Sequence, residues 1–312
     1  MNGGRQLLKF ILKRLGISIL TIWIVISVTF VLMHKIPGGP FDSDKKLPPQ
    51  VEANLNEKFG LDKPLFEQYT TYMRNILHGD LGPSMRYEGR SVNDVIAYSF
   101  PNSAKLGISA IAFALIVGTY MGIRAALDQG KWQDKLAMLI ATLGVTVPSF
   151  VLASLFIYYF AVKLGWFPAV GFDGPIYYVL PSIALGGYSM AFISRLSRST
   201  LIDVVKQDYI KVAKAKGLSR TKIIYKHALK NCLIPLITYI GPLFAGVLTG
   251  SFVIETLFGI PGLGREFVQS IYNRDYTTIL GITIFYSTFL IACNLIVDIL
   301  YAVIDPRIKL DS

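Results

Sequence analysis

The sequence is poor in the residues that build metal sites, disulfide frameworks and charged surfaces: two cysteines, three histidines, and Asp, Glu, Lys and Arg together only 16%. Cys232 and Cys293 both fall in apolar stretches, where they read as small packing residues, and no metal-ligand spacing surrounds them. His34, His78 and His227 are far apart and separated by long apolar runs, which argues against a shared metal site. No G-x-x-x-x-G-K-[ST] occurs, so the chain does not hold nucleotide phosphates by the usual loop, and Gly259, Gly262 and Gly264 lack the dinucleotide spacing. No serine or cysteine stands in a nucleophile-elbow context. The ionisable residues within or close to the apolar runs are Lys105, Glu255 and Asp298, and no spacing unites them as a catalytic set. The reading is therefore of a non-enzyme with no catalytic residue, no metal and no cofactor of its own.

What is abundant is apolar surface. The chain is 53% hydrophobic, and its mean hydropathy of +0.49 is too high for a soluble domain. The lipid bilayer is its solvent, and the fold class is an all-α integral membrane protein. The net charge of +11 is unevenly spread. With six spans and an inside N-terminus, the cytoplasmic pieces carry nineteen Lys/Arg against six acids, and the outer pieces eleven against thirteen. That asymmetry is the positive-inside pattern rather than a phosphate-reading stripe, and nucleic acid is not a partner.

Taken in order, residues 1–33 hold a basic start (Arg5, Lys9, Lys13, Arg14) and a first span from Leu15 to Met33. About 20 apolar residues rise roughly 30 Å, enough to cross the hydrocarbon core. The run is too long for a signal-peptide core and no small-x-small cleavage site follows, so the span is read as retained. Residues 34–98 form an extracytoplasmic insert of about 65 residues with near-balanced charge. Pro48 and Pro49 open a short helix with Val51, Leu55 and Phe59 on one face, stopped by Gly60. Asp62 and Pro64 open another with Phe66, Tyr69, Met73 and Leu77 on one face, and Ser91 with Asp94 makes a capping box into the next span. The insert has the size to cover a pore mouth or meet an external protein.

Residues 99–304 supply the remaining spans: about Ser99–Ile123, Leu136–Val162 with a kink expected at Pro148, Ile176–Ile193, Asn231–Ile254 and Ile279–Ile304. Residues 305–312 are a cytoplasmic tail. Between the last two spans, ETLFGIPGLGREFVQSIYNRDY is rich in Gly and Pro and reads as a re-entrant or interfacial turn. Glu255 at its start, near membrane depth, costs about 2.5–3.5 kcal/mol on insertion scales. It either lines a water-filled path or pairs with Arg265 or a backbone amide. Candidate path residues are Pro148 and Ser149, and Gly246, Thr249, Gly250, Ser251 and Glu255. Small residues of this kind pack helices as often as they line a path.

The most basic region, 195–230, carries ten Lys/Arg against Asp203 and Asp208. Val205, Tyr209 and Val212 recur at helical spacing as one apolar face. Gly217 sits where a helix ends in a left-handed residue, Leu218 is placed for the accompanying apolar contact, and Ser219 is placed to cap a second helix through Lys230. Ala213 and Ala215 before the corner let another surface approach closely. Basic loops also arise from topology alone, but a helix–Gly–helix corner is more than topology needs, and it points to a docked cytoplasmic partner.

The segment KVAKAKGLSRTKIIYKHALK resembles the EAA loop of ABC-transporter membrane subunits, whose two short helices dock into the cytoplasmic ATPase. Ala213, Gly217 and Leu229 fall on that pattern. Lys211 stands where the pattern has Glu, His227 where it has Ile and Lys230 where it has Pro, departures that resemble the peptide-transporter branch. HKIPGGPF, LPPQVEANL, HGDLGPS, SFPNSAKLG, TVPSF, GSFVIETLFGIPGLG and LYAVIDPRIK extend the resemblance over nearly the whole chain, to the B-type permease subunits of the oligopeptide/dipeptide/nickel permease family.

The resemblance implies a six-helix type I importer permease in the bacterial cytoplasmic membrane, with both termini cytoplasmic. It also implies a second, homologous permease, two ATPases that bind the ATP, and an extracytoplasmic peptide-binding protein. The ATPase-coupling residues would be Ala213, Lys214, Ala215, Lys216, Gly217, Leu218 and Leu229. The substrate it implies is an oligopeptide, with dipeptides or nickel as alternatives. A wide, weakly charged path suits a peptide, whereas a nickel path would offer histidine or thiol ligands. An ion-gradient-driven secondary transporter is the competing class. It would show inverted repeats and intramembrane acids for its coupling ion, and neither is visible in the sequence.

Overall fold

The computed structural model describes residues 2–35, 39–41, 48–248 and 251–304. It is helical, with no sheet among the described residues. The elements are α1 Asn2–Lys35, α2 Pro49–Phe59, α3 Leu65–Leu77, α4 Val92–Leu127, α5 Trp132–Thr146 and α6 Ser149–Phe156, which a π-helical stretch continues to Lys163. After a 3₁₀ turn (Pro175–Tyr178) come α7 Val179–Val205, α8 Asp208–Ala215 and α9 Arg220–Lys222. A second π stretch (Ile223–Ala228) leads into α10 Leu229–Leu248, followed by α11 Phe252–Leu257, α12 Leu263–Tyr272 and α13 Tyr276–Ile304. The chain resolves into two compact units, one ending at Asn102 and resuming at Pro261, the other from Ser103 to Ile260.

Four helices are long and apolar enough to cross a membrane unbroken: Ile11–Lys35, Val92–Leu127, Pro175–Val205 and Tyr276–Ile299. Six arise if two bent pairs each count as one span. The first pair corrects the expected kink at Pro148, because Trp132–Thr146 and Ser149–Lys163 meet at 109°. A proline within a continuous helix bends it modestly. Here Val147 (φ −87°, ψ 123°) and Pro148 (φ −57°, ψ 140°) are both extended. Proline disfavours the helical region for the residue before it, so two successive residues leave the helix and the chain turns a corner. The second pair, Ile223–Ile237 and Tyr239–Leu248, bends by 45° in the helix that carries Pro235 and Pro242.

In the first unit α1 lies along α13, and Arg14 meets Asp298 at 3.1 Å, which gives the acid noted in the last span a named partner. The expected capping box forms. Asp94 N donates to Ser91 Oγ at 3.1 Å and Ser91 N to Asp94 Oδ2 at 3.4 Å. Gly60 ends α2 at φ 65°. Asp275, almost fully buried, caps α13. It accepts from Met85 N (3.1 Å), Thr278 N (3.1 Å), Thr277 Oγ1 (3.0 Å) and the Ser84 hydroxyl, tying residues 84–85 to the last helix. Of the face expected of α3, Tyr69 and Met73 are half-buried but Phe66 and Leu77 are 78% and 82% exposed. α3 turns Tyr69 and, off that face, Tyr72 onto Phe30 of α1, at ring distances of 5.4 and 6.2 Å, because that aromatic surface lies beside it. Burial raises the Tyr72 phenol above its ordinary value.

In the second unit α7 is the hub, packed by α5, α6 and α10. It also meets α4 so closely that side chains are excluded. A Cβ on Gly118 would lie 2.6 Å from the Met190 carbonyl oxygen, and one on Gly122 would lie 2.3 Å from that of Ser194. Gly118 and Gly122 are four residues apart, the small-xxx-small spacing by which membrane helices approach backbone to backbone. α11 seats Ile254 and Phe258 against Leu106, Ala153, Tyr178 and Ile260. The fourth expected span continues past Ile193 to Val205, and the fifth does not run unbroken to Ile254, since Ser251 is extended and a separate helix begins at Phe252.

Candidate functional site

The corner in the basic segment is built as follows. α7 stops at Val205, Gln207 is extended (ψ 152°), and α8 opens with Asp208 in its first turn, where the helix dipole favours an acid. At its far end Gly217 takes φ 75°. Gly217 N donates to Lys214 O (3.0 Å) and Leu218 N to Ala213 O (3.3 Å), the paired bonds of a Schellman stop. Leu218 supplies the apolar contact by joining the cluster of Leu201, Ile210, Ala213, Ile223, Ala228 and Cys232. Ser219 then starts the return, with Lys222 N 3.4 Å from its hydroxyl and Ile223 N 3.0 Å from its carbonyl oxygen. The return helix does not end at Lys230 but runs through the π stretch into α10 without a break.

The apolar face assigned to this segment is also corrected. Val205 ends α7, and Tyr209 and Val212 are 41% and 53% exposed, while the buried residues of α8 are Ile210 and Ala213. The helix break at Lys206 and Gln207 rotates α8 relative to α7, so a single helical spacing does not carry across it. Lys214, Ala215, Lys216 and Gly217 are exposed, and Leu218 and Leu229 are half-buried. A basic, partly apolar surface made of Tyr209, Val212 and the end of α8 is therefore open, and its backbone is set by one left-handed glycine.

Sequence reasoning missed a clamp on α7, earlier in the chain than this corner. Arg198 Nε and Nη2 donate to Asp134 Oδ1 and Oδ2 at 2.6 and 2.8 Å, and Gly130 N donates to Asp134 Oδ2 at 2.9 Å. This two-pronged pair ties the start of α5 to α7. The signal available was Asp134 itself, an acid between Lys131 and Lys135 in a basic loop.

The candidate path residues separate. Pro148 and Ser149 are exposed and line a cavity of about 220 Å³ with Gly144, Leu152, Ala184 and Tyr188. Gly246 is exposed, Ser251 is half-buried, and neither is among the described residues that line that cavity. Thr249 and Gly250 lie outside the described residues. Glu255 is fully enclosed and accepts a hydrogen bond from Ser103 Oγ at 2.8 Å, which pins α11 to α4.

The chain was compared with known proteins. Residues 108–310 match the family described as "Binding-protein-dependent transport system inner membrane component", and residues 7–115 match the companion N-terminal family of the same transport systems. The chain is 48% identical over 305 residues to the oligopeptide transport system permease protein OppB of Haemophilus influenzae, covering 97% of this chain and 100% of that one. To the dipeptide transport system permease protein DppB of Bacillus subtilis it is 48% identical over 302 residues, covering 97% and 98%. To OppB of Salmonella typhimurium it is 45% identical over 305 residues, covering 97% and 100%. Among solved structures, an inward-facing MetNI methionine ABC transporter matches with a TM-score of 0.52 and 16% identity, over 65% of this chain and 95% of that one. An amino acid ABC transporter crystallised with histidines matches with a TM-score of 0.55 and 16% identity, over 68% and 95%. At that identity the likeness concerns the fold.

Proposed function

The chain belongs to the binding-protein-dependent transport system inner membrane component family, a multi-pass membrane permease rather than an enzyme, and from that premise we propose that it forms one half of the path of an ATP-driven peptide importer. The other half is a second, homologous permease, because six spans are too few to surround a path wide enough for a peptide. Energy comes from two cytoplasmic ATPases docked at the corner of α8 and α9, and the peptide is delivered by an extracytoplasmic binding protein. The membrane is the bacterial cytoplasmic membrane, with both termini and the corner inside, a placement that the charge asymmetry supports. The core of the family, 99–304, would carry the path, and the insert, 34–98, would face the binding protein.

The observation that carries the reading is near full-length identity, 48%, to a peptide permease. The open, basic face of α8 beside Gly217 supports the docking part. The candidate coupling residues are Ala213, Lys214, Ala215, Lys216, Gly217, Leu218 and Leu229. No cofactor is assigned to this chain, and ATP belongs to its partners. The substrate is an oligopeptide. A dipeptide is the second reading, supported by the equal 48% identity to a dipeptide permease.

Growth separates the two. A strain lacking this chain is expected to fail on peptides of three to five residues as the source of an essential amino acid, and to be rescued by the free amino acid. Failure on dipeptides alone would favour the second reading. Normal growth on all peptides with loss of nickel-dependent enzyme activity would overturn both.

A further inference from the structure

Behind α8 lies a groove of about 490 Å³, within the range of small-molecule sites, roughly 300–1,000 Å³. Leu127 at the end of α4, Leu201 and Val205 at the end of α7, and Ile224 line it. Its charged lining residues are Lys206 and Lys214, both exposed, and no carboxylate is among the described residues that line it; Asp128, next to Leu127 and Gln129 in the chain, is already paired with Arg124 and Lys131. Neither lysine has an ion-pair partner among the described residues, whereas Lys211 between them in sequence is paired with Asp208, and Lys131, just past Leu127, with Asp128. Two unpaired cations thus flank an apolar slot at the level where two membrane spans end. Lys214 shares its helix face with Ile210, four residues earlier and fully buried, so the groove is on the opposite side of α8 from exposed Val212.

We propose that this groove binds an anionic phospholipid of the cytoplasmic leaflet, with the phosphate between Lys206 and Lys214 and an acyl chain against Leu127, Leu201 and Ile224. The chemistry is complementary at both ends. The slot removes hydrocarbon from water, and the two ammonium groups take a charge that a zwitterionic headgroup does not offer in net form. A small soluble anion would leave the apolar lining unfilled. The lipid wedges the corner against α4 and α7 from behind and leaves Tyr209, Val212 and Lys216 free for a docked subunit, so that Lys214, named above among the coupling candidates, serves the lipid instead. The assignment of the leaflet rests on the cytoplasmic placement given under the proposed function.

The test uses the full chain, purified with its co-purifying subunits, delipidated in mild detergent and titrated with phosphatidylglycerol or phosphatidylcholine. Bound lipid is read by mass spectrometry. Lys206→Gln is expected to weaken phosphatidylglycerol binding about fivefold, the effect of one basic residue at a membrane surface, and to leave phosphatidylcholine unchanged. Ile202→Trp, which fills the groove from its wall, is expected to reduce both. Equal phosphatidylglycerol binding by wild type and Lys206→Gln overturns the proposal. So does an equal fall for both lipids in Lys206→Gln, and so does loss of the ATPase from that variant with lipid binding intact, since the groove would then belong to the subunit. No peptide enters the assay, so a failed peptide assignment leaves its outcome standing, and placement of the corner is read separately by whether a cysteine introduced at Lys216 is shielded from an impermeant thiol reagent added outside.

Discussion

Replacing Gly122 by alanine tests how the permease core is packed. The added Cβ would sit 2.3 Å from Ser194 O, 2.6 Å from Ser197 Cβ and 3.1 Å from Arg198 N. Two of these three atoms are backbone, so no rotamer change relieves the clash. To reach ordinary separation α4 must withdraw from α7 by about 1 Å, and a gap of that size forfeits a quarter to a half of each dispersion contact along the interface. Overpacking of this kind costs about 1–3 kcal/mol, offset by up to about 1 kcal/mol of alanine's better helix propensity. At roughly 2–4 °C per kcal/mol, the thermal midpoint of the purified chain in detergent is expected to fall by several degrees. Gly16→Ala is the control, because no atom lies within 4 Å of its added Cβ, and it is expected to be neutral or slightly stabilising. Equal midpoints for Gly122→Ala and Gly16→Ala would refute the close approach of α4 and α7.

Three further substitutions bear on the corner and the buried polar pairs. Nothing lies within 4 Å of a Cβ on Gly217, whose φ is 75°, so Gly217→Val is expected to cost about 1–2 kcal/mol through backbone strain and to reduce co-purification of the ATPase. Gly217→Asn, which tolerates the left-handed region, should keep the chain's thermal midpoint, and equal midpoints for Val and Asn would contradict the strain argument. Asp134→Asn leaves the Arg198 guanidinium without its carboxylate and is expected to cost about 2 kcal/mol, less than a fully buried pair because Arg198 is partly exposed. The double variant with Arg198→Gln should cost less than the sum of the singles, and strict additivity would mean that the two side chains do not interact. Ser103→Ala removes a hydrogen bond to the fully buried Glu255 and is expected to cost about 1–3 kcal/mol of stability, read as a lower thermal midpoint, with no change refuting the contact.

The long helices were legible because a run of about 20 apolar residues has few alternatives in lipid. The stops at Gly60 and Gly217 and the box at Ser91 and Asp94 were legible because each is written within a few residues. The sharp corner at Pro148 was not, since the same dipeptide suits a kink or a break and the choice depends on what α5 and α6 pack against. Periodicity misplaced the buried face of α8 and gave that of α3 only in part. Apolar spacing gives the face a helix would bury if it had one apolar neighbour, whereas α3 meets an aromatic patch on α1, and the break after Val205 resets the register of α8. Asp134 with Arg198 and Ser103 with Glu255 join residues 64 and 152 positions apart, beyond any local pattern.

The central claim, a permease that works on ATP with partner subunits, is tested most directly in proteoliposomes. The chain and its co-purifying subunits are reconstituted with the external binding protein and a labelled peptide of three to five residues. The account predicts uptake that requires ATP, survives ionophores that collapse ion gradients, and disappears when this chain is omitted. Uptake without ATP that follows an imposed ion gradient would contradict it.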